Sequence, residues 1–251
     1  MESTNAPTTS RKRFRRRLAT LLAAGAVGGL AVTAVATLEA NAVAAPSGSC
    51  AQVAIITARA STEAPGEGIT GALVTQIVNS SSQTVSRASV NYPATLTNYA
   101  SSSAQGVAAL KTQLTNEVNA CPSAKVVLLG YSQGAHVVLD TLGGGGGGTL
   151  GAPTAPVASS VASHVVAAVT FGDPRHVVGQ PYDLGTSTRN GLFPRTSTQL
   201  SVLAGMAAKI HSYCDSGDEF CDSGTSLTVH LTYLDRYQNA AASFVLGRVG
   251  G

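Results

Sequence analysis

The segment VVLLGYSQGAHVVLD, Val126 to Asp140, places a serine between two glycines, with an apolar run on either side of them. The first run is rich in Val and Leu, as expected of a strand that is buried on both faces of a parallel sheet. Gly-x-Ser-x-Gly between a strand and a helix is typical of the nucleophile elbow, a tight turn that exposes the serine hydroxyl. At the start of a helix, free N–H groups and the helix dipole stabilise developing negative charge. The segment therefore predicts that Ser132 is a nucleophile, with an ordinary glycine turn as the alternative.

Strand-like and helix-like runs alternate around this segment. Strands are predicted at 52–57, within 86–94, and at 125–130, 164–171 and 209–213. Helices are predicted at 69–79, at 99–120, directly after Ser132, and at 230–249. The alternation predicts an α/β fold of three layers, with a mainly parallel central sheet and helices on both faces. The six glycines at 143–148 lack the Lys-Ser/Thr of a phosphate-binding loop and are predicted to form a flexible surface connection.

The N-terminus has the pattern of a secretory signal. Six basic residues lie between Arg11 and Arg17, and an apolar run of small residues follows at 18–36. The segment EANAVAAPS then offers Ala-x-Ala cleavage sites. We predict a secretory signal peptide at 1–44 and a single catalytic domain at 45–251, which would be secreted. A membrane anchor and a basic nucleic-acid-binding arm are the alternatives for the N-terminal segment.

Composition and charge narrow the class of protein. The chain has 251 residues, of which 44% are hydrophobic and 12% are charged, enough for one sizeable core. Removing 1–44 takes six basic and two acidic residues from totals of 16 and 13, which leaves 10 basic and 11 acidic residues. A near-neutral body gives no reason to expect nucleic acid or an anionic membrane as a partner.

Four cysteines remain after the predicted signal peptide. An even number in an oxidising compartment predicts two disulfides, for which three connectivities exist. Cys214 and Cys221 bracket six residues and would close a small loop, which leaves Cys50 to pair with Cys121. A zinc site is the rival interpretation, but the chain has no Cys-x-x-Cys or His-x-x-x-His pattern, so we predict no metal.

A serine nucleophile needs a base that takes its proton. His230 lies at a loop-to-helix junction near the C-terminus, where the order Ser…Asp…His of α/β-hydrolases places the base. His176 follows a predicted strand and is a rival. The remaining histidines are predicted to be structural: His136, His164 and His211.

The base in turn needs an acid that orients it. The segment CDSGDEFC supplies three candidates in the small disulfide loop: Asp215, Asp218 and Glu219. Asp173, in Gly-Asp-Pro at the end of a predicted strand, is the alternative, although there its carboxylate could cap a backbone N–H.

The segments GYSQGA, CDSGDEFC and HLTY, in that order, resemble the cutinase family, which also contains fungal-type acetylxylan esterases. The resemblance extends from about Cys50 to the C-terminus. It implies a compact α/β-hydrolase without a lid, in which Ser132 is the nucleophile, His230 the base and Asp218 the acid. It also implies the two disulfides given above and requires no cofactor.

A further segment, ARASTEAPG from Ala58 to Gly66, resembles the oxyanion loop of the same family. The resemblance implies that Ser61 donates its backbone N–H to an oxyanion, beside the N–H of Gln133, with the Ser61 hydroxyl as a candidate second donor. This chain has Ala60 where the family often has Gly.

Sequence features disagree on which ester is hydrolysed. VNYPA, the glycine run and FGDPRHVVGQPYDLGT resemble the acetylxylan esterase branch. In contrast, Leu227, Val229 and Leu231 would form an apolar rim around the base, which suits an acyl chain or a polyester surface. We predict a monomeric, cutinase-like serine esterase for short- to medium-chain esters or a polyester such as cutin. The alternatives are an acetylxylan esterase and a secreted binding protein without activity, which would lack one of the catalytic groups.

Overall fold

A computed structural model describes residues 50–250 of the chain. The predicted signal peptide at 1–44 lies outside the described residues. The strands are β1 Val53–Ala58, β2 Val85–Ser89, β3 Lys125–Tyr131, β4 Val165–Phe171, β5 Asp183–Leu184 and β6 Ile210–Tyr213. The α-helices are α1 Gly71–Ser80, α2 Tyr99–Ala120, α3 Gln133–Gly143, α4 Ser159–Ala162, α5 Ser197–Ala204, α6 Leu227–Leu231 and α7 Tyr233–Val249.

The strands form one sheet in the order β2-β1-β3-β4-β6-β5, and each neighbouring pair runs parallel. Successive side chains of the central strands point to opposite faces, and both faces are buried. Ile55 and Val127 belong to a core beneath α1 and α7, whereas Ile56 and Leu128 belong to a core beneath α2 and α3. Burial of each such side chain contributes about 1.5–3 kcal/mol. The predicted three-layer α/β fold is confirmed.

The C-terminal helix differs from its prediction. Instead of one helix over 230–249, α6 ends at Leu231 and α7 begins at Tyr233. The hydroxyl of Tyr131 lies at the break, where it donates to the carbonyl of His230 and is 3.4 Å from the backbone N of Tyr233. This contact comes from a distant strand, so periodicity along the helix could not reveal it. Because of the break, His230 lies on the short helix α6 and not on α7.

The prediction of a flexible surface connection at 143–148 is wrong for most of that run. Gly143 ends α3, and residues 143–145 are buried. Gly145 pairs with Thr154 in an antiparallel bridge, and the carbonyls of Gly144 and Gly146 accept the side-chain amide of Gln199 at 3.0 and 3.2 Å. The small size of glycine here permits close packing of backbone against buried polar side chains.

Helix α5 and the two-residue strand β5 have no counterpart among the predicted elements. Helix α5 begins with a capping box, in which the Thr196 hydroxyl accepts the N–H of Gln199 and the Gln199 side chain accepts the N–H of Thr196. The pattern Thr-x-x-Gln is a known helix start and could have predicted this helix.

The described chain contains two disulfides, with the pairing that the cysteine spacing predicts. Cys50 is bonded to Cys121, and Cys214 is bonded to Cys221. Between residues 50 and 250, no helix combines the length and the apolar character needed to cross a membrane.

Candidate active site

Ser132 stands at a strained turn between β3 and α3. Its φ of 55° and ψ of −118° are unusual for a residue with a Cβ atom, as expected at an elbow that must present a side chain. Glycine is required at both flanking positions because other backbone atoms lie where a Cβ atom would be. A Cβ on Gly134 would lie 1.9 Å from the carbonyl oxygen of Ala58, and one on Gly130 would lie 2.5 Å from that of Gly134. The elbow predicted from the sequence is present.

The first residue of α3 presents a backbone donor beside Ser132. The N–H groups in the first turn of a helix have no carbonyl acceptor within the helix. The Gln133 side chain is engaged elsewhere, because its amide donates to the Thr95 carbonyl at 3.3 Å and its oxygen accepts the Ser102 hydroxyl at 3.3 Å. The backbone N–H is therefore the donor of Gln133 that remains free to stabilise an oxyanion.

Ser61 lies in the loop after β1. Its hydroxyl is buried and has no hydrogen-bond partner among the described residues. The carboxylate of Glu63 holds this loop by accepting the N–H of Ala60 at 2.6 Å and the N–H of Ile69 at 2.7 Å. Arg59 adds a bond from Nε to the Glu63 carbonyl at 2.9 Å. Ser61 and Ser132 line the same groove, so this loop offers an unpaired hydroxyl to the site.

His230 and Asp218 form a buried pair. Nδ1 of His230 lies 2.9 Å from Oδ2 of Asp218, and their residue exposures are 3% and 0%. Oδ1 of Asp218 accepts the N–H of Phe220 at 2.7 Å and that of Cys221 at 2.9 Å. The Phe220 ring packs against the imidazole at a centroid distance of 4.5 Å. The disulfide loop therefore orients the carboxylate toward His230.

The surroundings keep the Asp218 carboxyl ionised. Burial alone raises its pKa, but the hydrogen bond and charge of His230, the N–H of Cys221 and the hydroxyl of Tyr233 together lower that pKa below its ordinary value. An ionised carboxylate next to Nδ1 favours the tautomer that carries its proton on Nδ1 and leaves Nε2 free to act as a base.

The rival acid and base are engaged elsewhere. Asp173 is paired with Arg195 and caps the backbone N–H of Arg175 at 2.9 Å, the structural role considered for it from the sequence. His176 is buried with Nδ1 3.6 Å from Asp183, and it does not line the groove that contains Ser132. The structure therefore brings neither of them to the nucleophile.

His136 belongs to a buried polar network that sequence reasoning did not find. Its two ring nitrogens lie 3.0 Å from the Tyr99 hydroxyl and 3.0 Å from Asp140, one turn along α3. Asp140 also pairs with Arg175 and Arg195. Burial alone raises the pKa of Asp140, but His136 and the two guanidinium groups hold it well below its usual range. The network ties α3 to the loop after β4 and is structural, as expected of His136.

Ser132 and His230 open into one groove of about 500 Å³. Apart from these two residues, its lining is mostly apolar: Ala60, Ser61, Thr62, Leu96, Tyr99, Tyr131, Pro174, Leu192, Phe193, Phe220, Leu227 and Leu231. All four leucines of this lining are exposed: Leu96, Leu192, Leu227 and Leu231.

Val229 is not among the lining residues, contrary to the prediction that it belongs to the rim. Leu227 and Leu231 are one turn apart on α6 and share a face, whereas Val229 lies between them and points elsewhere. In residues 50–250 no group of three His, Cys, Asp or Glu side chains is placed to hold a metal ion.

Comparisons with known proteins agree with this geometry. The family model described as Cutinase matches residues 49–249. Acetylxylan esterase 2 of Talaromyces purpureogenus is 34% identical over 211 residues, which cover 80% of this chain and 88% of that protein. Cutinase 11 of Verticillium dahliae is 33% identical over 210 residues, which cover 80% and 70% of the two chains. An acetylxylan esterase crystal structure superimposes with a TM-score of 0.75 at 34% identity, over 80% of this chain and 100% of that one.

The family match extends over nearly all described residues and includes the elbow, the disulfide loop and the His230 helix. The chain therefore belongs to the cutinase family of carboxylic ester hydrolases.

Proposed function

We propose that the chain is a secreted, cutinase-like serine esterase that hydrolyses short- to medium-chain acyl esters or a polyester such as cutin. Ser132 is the nucleophile, His230 the general base and Asp218 the residue that orients it. The backbone N–H of Gln133 and the groups of Ser61 stabilise the oxyanion. The joint presence of all these parts supports an enzyme over an inactive binding protein.

The reaction proceeds through an acyl-enzyme. His230 takes the proton of Ser132 as its oxygen attacks the ester carbonyl, and the carbonyl oxygen becomes an oxyanion. The tetrahedral intermediate collapses, and the imidazolium protonates the leaving alcohol. Water then attacks the acyl-enzyme by the same route and releases the acid. Each oxyanion donor typically contributes about 10²–10³ in rate.

The substrate class is inferred from the apolar groove. Its walls of Leu192, Phe193, Phe220, Leu227 and Leu231 offer an acyl chain a surface that excludes water. Each buried methylene contributes about 0.8 kcal/mol at most. An acetyl group has one methyl and would leave most of a groove of about 500 Å³ unused.

Acetylxylan esterase activity is the second candidate. It is supported by the similarity to Acetylxylan esterase 2 and to an acetylxylan esterase structure, which aligns over its whole length. The two activities share one catalytic mechanism and differ in what occupies the groove, so substrates of graded acyl length separate them.

The test compares kcat/KM on p-nitrophenyl acetate, butyrate and octanoate, together with acetate release from acetylated xylan. We expect octanoate to match or exceed acetate and Ser132→Ala to abolish turnover of every substrate. Activity confined to acetate and acetylated xylan would instead establish the second candidate. Normal turnover by Ser132→Ala would overturn the proposed nucleophile.

A matched pair of leucine variants tests the groove itself. Leu231 is 53% exposed at its mouth, whereas Leu184 is 36% exposed and does not line it. We expect Leu231→Ala to lower kcat/KM on octanoate about fivefold, or roughly 1 kcal/mol, with little change on acetate. Leu184→Ala should change neither. Equal loss on both substrates would show that Leu231 does not contact the acyl chain.

Secretion and oligomeric state belong to the same proposal. N-terminal sequencing of the exported protein should place the mature start close to residue 45, after cleavage of the signal peptide. Light scattering coupled to gel filtration should give the mass of a monomer. An uncleaved N-terminus or a stable dimer would contradict the respective part.

A further inference from the structure

Tyr233 is a buried tyrosine next to the proposed acid, and the proposed mechanism gives it no part. It is the first residue of α7 and is fully buried. Its hydroxyl oxygen lies 2.8 Å from Oδ2 of Asp218 and accepts the backbone N–H of Asp215 at 2.8 Å. Tyr233 does not line the groove, so it is not placed to touch a substrate.

The direction of these two hydrogen bonds follows from the donors present. A backbone N–H can only donate, so Asp215 uses one lone pair of the hydroxyl and leaves its proton for Asp218. An ionised carboxylate can only accept. Burial and the negative charge of Asp218 raise the pKa of Tyr233, so the phenol keeps its proton. Tyr233 is therefore a fixed donor to Asp218.

Oδ2 of Asp218 thus receives two donors, the Tyr233 hydroxyl at 2.8 Å and His230 Nδ1 at 2.9 Å. The other oxygen is held by the N–H groups of Phe220 and Cys221. Among these four donors, the Tyr233 hydroxyl alone can be removed by a side-chain substitution that spares the base.

We propose that Tyr233 is a positioning residue for ester hydrolysis, which holds Asp218 in register with His230 and limits the negative charge that Oδ2 presents to the imidazole. This inference rests on the proposed serine esterase activity. Two effects should follow when the hydroxyl is removed. The carboxylate loses a constraint on its orientation. The negative charge on Oδ2 of Asp218, which the Tyr233 hydroxyl no longer offsets, also stabilises the imidazolium of His230 more strongly.

The other charged and titratable side chains near the pair keep their side-chain partners when the hydroxyl is lost, although the backbone N–H of Asp215 loses its acceptor. Asp215 is bound by Arg236 at 2.8 Å, and the Arg236 guanidinium lies 5.0 Å from the centre of the Tyr233 ring. From β3, Tyr131 bonds to the carbonyl of His230. Directly after the disulfide loop, Asp222 accepts the N–H of Gly217 and is held by residues 187–189.

Tyr237 provides a matched control one turn further along α7. Its hydroxyl donates to Asp215 at 2.7 Å, and its ring is stacked with that of Tyr233. Tyr237→Phe removes the same atom from the same helix and disturbs the same neighbour, Asp215. It leaves every donor to Asp218 in place.

The experiment records kcat and KM against pH by pH-stat titration of a short-chain triglyceride for the wild type, Tyr233→Phe and Tyr237→Phe. For Tyr233→Phe we expect the midpoint of the acidic limb to move about half a unit toward higher pH and plateau kcat to fall about three- to tenfold, with KM unchanged. Tyr237→Phe should match the wild-type profile. A wild-type profile for Tyr233→Phe, or an equal shift in Tyr237→Phe, overturns the inference.

A fluorotyrosine substitution keeps the inference testable if Tyr233→Phe does not fold, and proton NMR tests the folded variant without turnover. A fluorotyrosine at 233 keeps the hydroxyl but makes it a stronger donor, so the acidic limb should move to lower pH. Proton NMR detects the His230–Asp218 hydrogen bond without turnover, and its low-field resonance should move further downfield in Tyr233→Phe and stay in place in Ser132→Ala. The inference is overturned if fluorotyrosine leaves the acidic limb in place. It is also overturned if the resonance of folded Tyr233→Phe does not move.

Failure of the proposed function gives a different result. In that case hydrolysis would be absent from the wild type or unaffected by Ser132→Ala, whereas the resonance would still respond to Tyr233→Phe. Conversely, hydrolysis that depends on Ser132 with no response to Tyr233→Phe would remove only the role of Tyr233.

Discussion

Gly172 is the residue whose substitution should disturb the proposed base most directly. It follows β4 with φ of +62°, and a methyl group there would lie 2.7 Å from Cε1 and 2.8 Å from Nδ1 of His230. Ordinary van der Waals contact begins at 3.4 Å, so the imidazole must move by about 0.7 Å to accommodate alanine. The left-handed backbone adds a further strain of about 1–2 kcal/mol.

A displacement of this size should affect turnover more than stability. Misplacement of a catalytic group by about 1 Å can cost about 10²-fold in rate. For Gly172→Ala we therefore expect a loss of about 10- to 100-fold in kcat on p-nitrophenyl butyrate. The melting temperature should fall by only a few degrees, about 2–4 °C for each kcal/mol of strain.

Gly179 separates the steric effect from the backbone strain. Its φ of +90° is also positive, but a methyl group there has no atom within 4 Å. Gly179→Ala should therefore share the loss of stability and keep wild-type kcat. Folded Gly172→Ala with wild-type kcat would refute the reasoning, and so would an equal loss of kcat in Gly179→Ala.

Three further outcomes follow from the site. Asp218→Asn should lower kcat by about 10⁴ and keep the fold, whereas Asp173→Asn should act through stability because it breaks a buried ion pair with Arg195; an active Asp218→Asn would contradict the assignment of the acid. Replacing Cys214 and Cys221 by Ala should lower kcat about tenfold or more, although closure of so short a loop contributes only about 2–3 kcal/mol to the free energy of unfolding. Thermal melting and kinetics on the same sample test this. Unchanged kcat would show that the bridge does not support the site. Because the pKa of Asp218 is lowered from its usual 3.8, its stabilising contribution is present above that value and is lost as pH falls through the folded-state pKa; melting curves against pH should show a smaller acid loss in Asp218→Asn than in the wild type.

The layered architecture is a property of local sequence. Buried strands require continuous apolar runs and an amphipathic helix requires apolar residues at three- and four-residue steps, so β3, β4 and α2 could be predicted close to their observed bounds. The elbow at Ser132 is local as well, because strand, glycine turn and helix follow one another within fifteen residues. Cysteine spacing was sufficient for the disulfide pairing, since a short loop between Cys214 and Cys221 excludes the other connectivities in practice.

The choice between chemically equivalent side chains needed the tertiary structure. Asp218 and Asp173 are both carboxylates near strand ends, and only the folded chain shows that one meets His230 while the other meets Arg195. The same is true of the helix break at the Tyr131 hydroxyl and of Val229, which does not line the groove.

Three features had no sequence pattern to reveal them: the Tyr233 hydroxyl on Asp218, the approach of Gly172 to the imidazole, and the buried network around Asp140. Each joins groups that are distant along the chain. Local propensity and periodicity report how a segment prefers to fold by itself. Contacts between segments are decided by which surfaces the packed core brings together, and at this site those contacts orient the acid and the base.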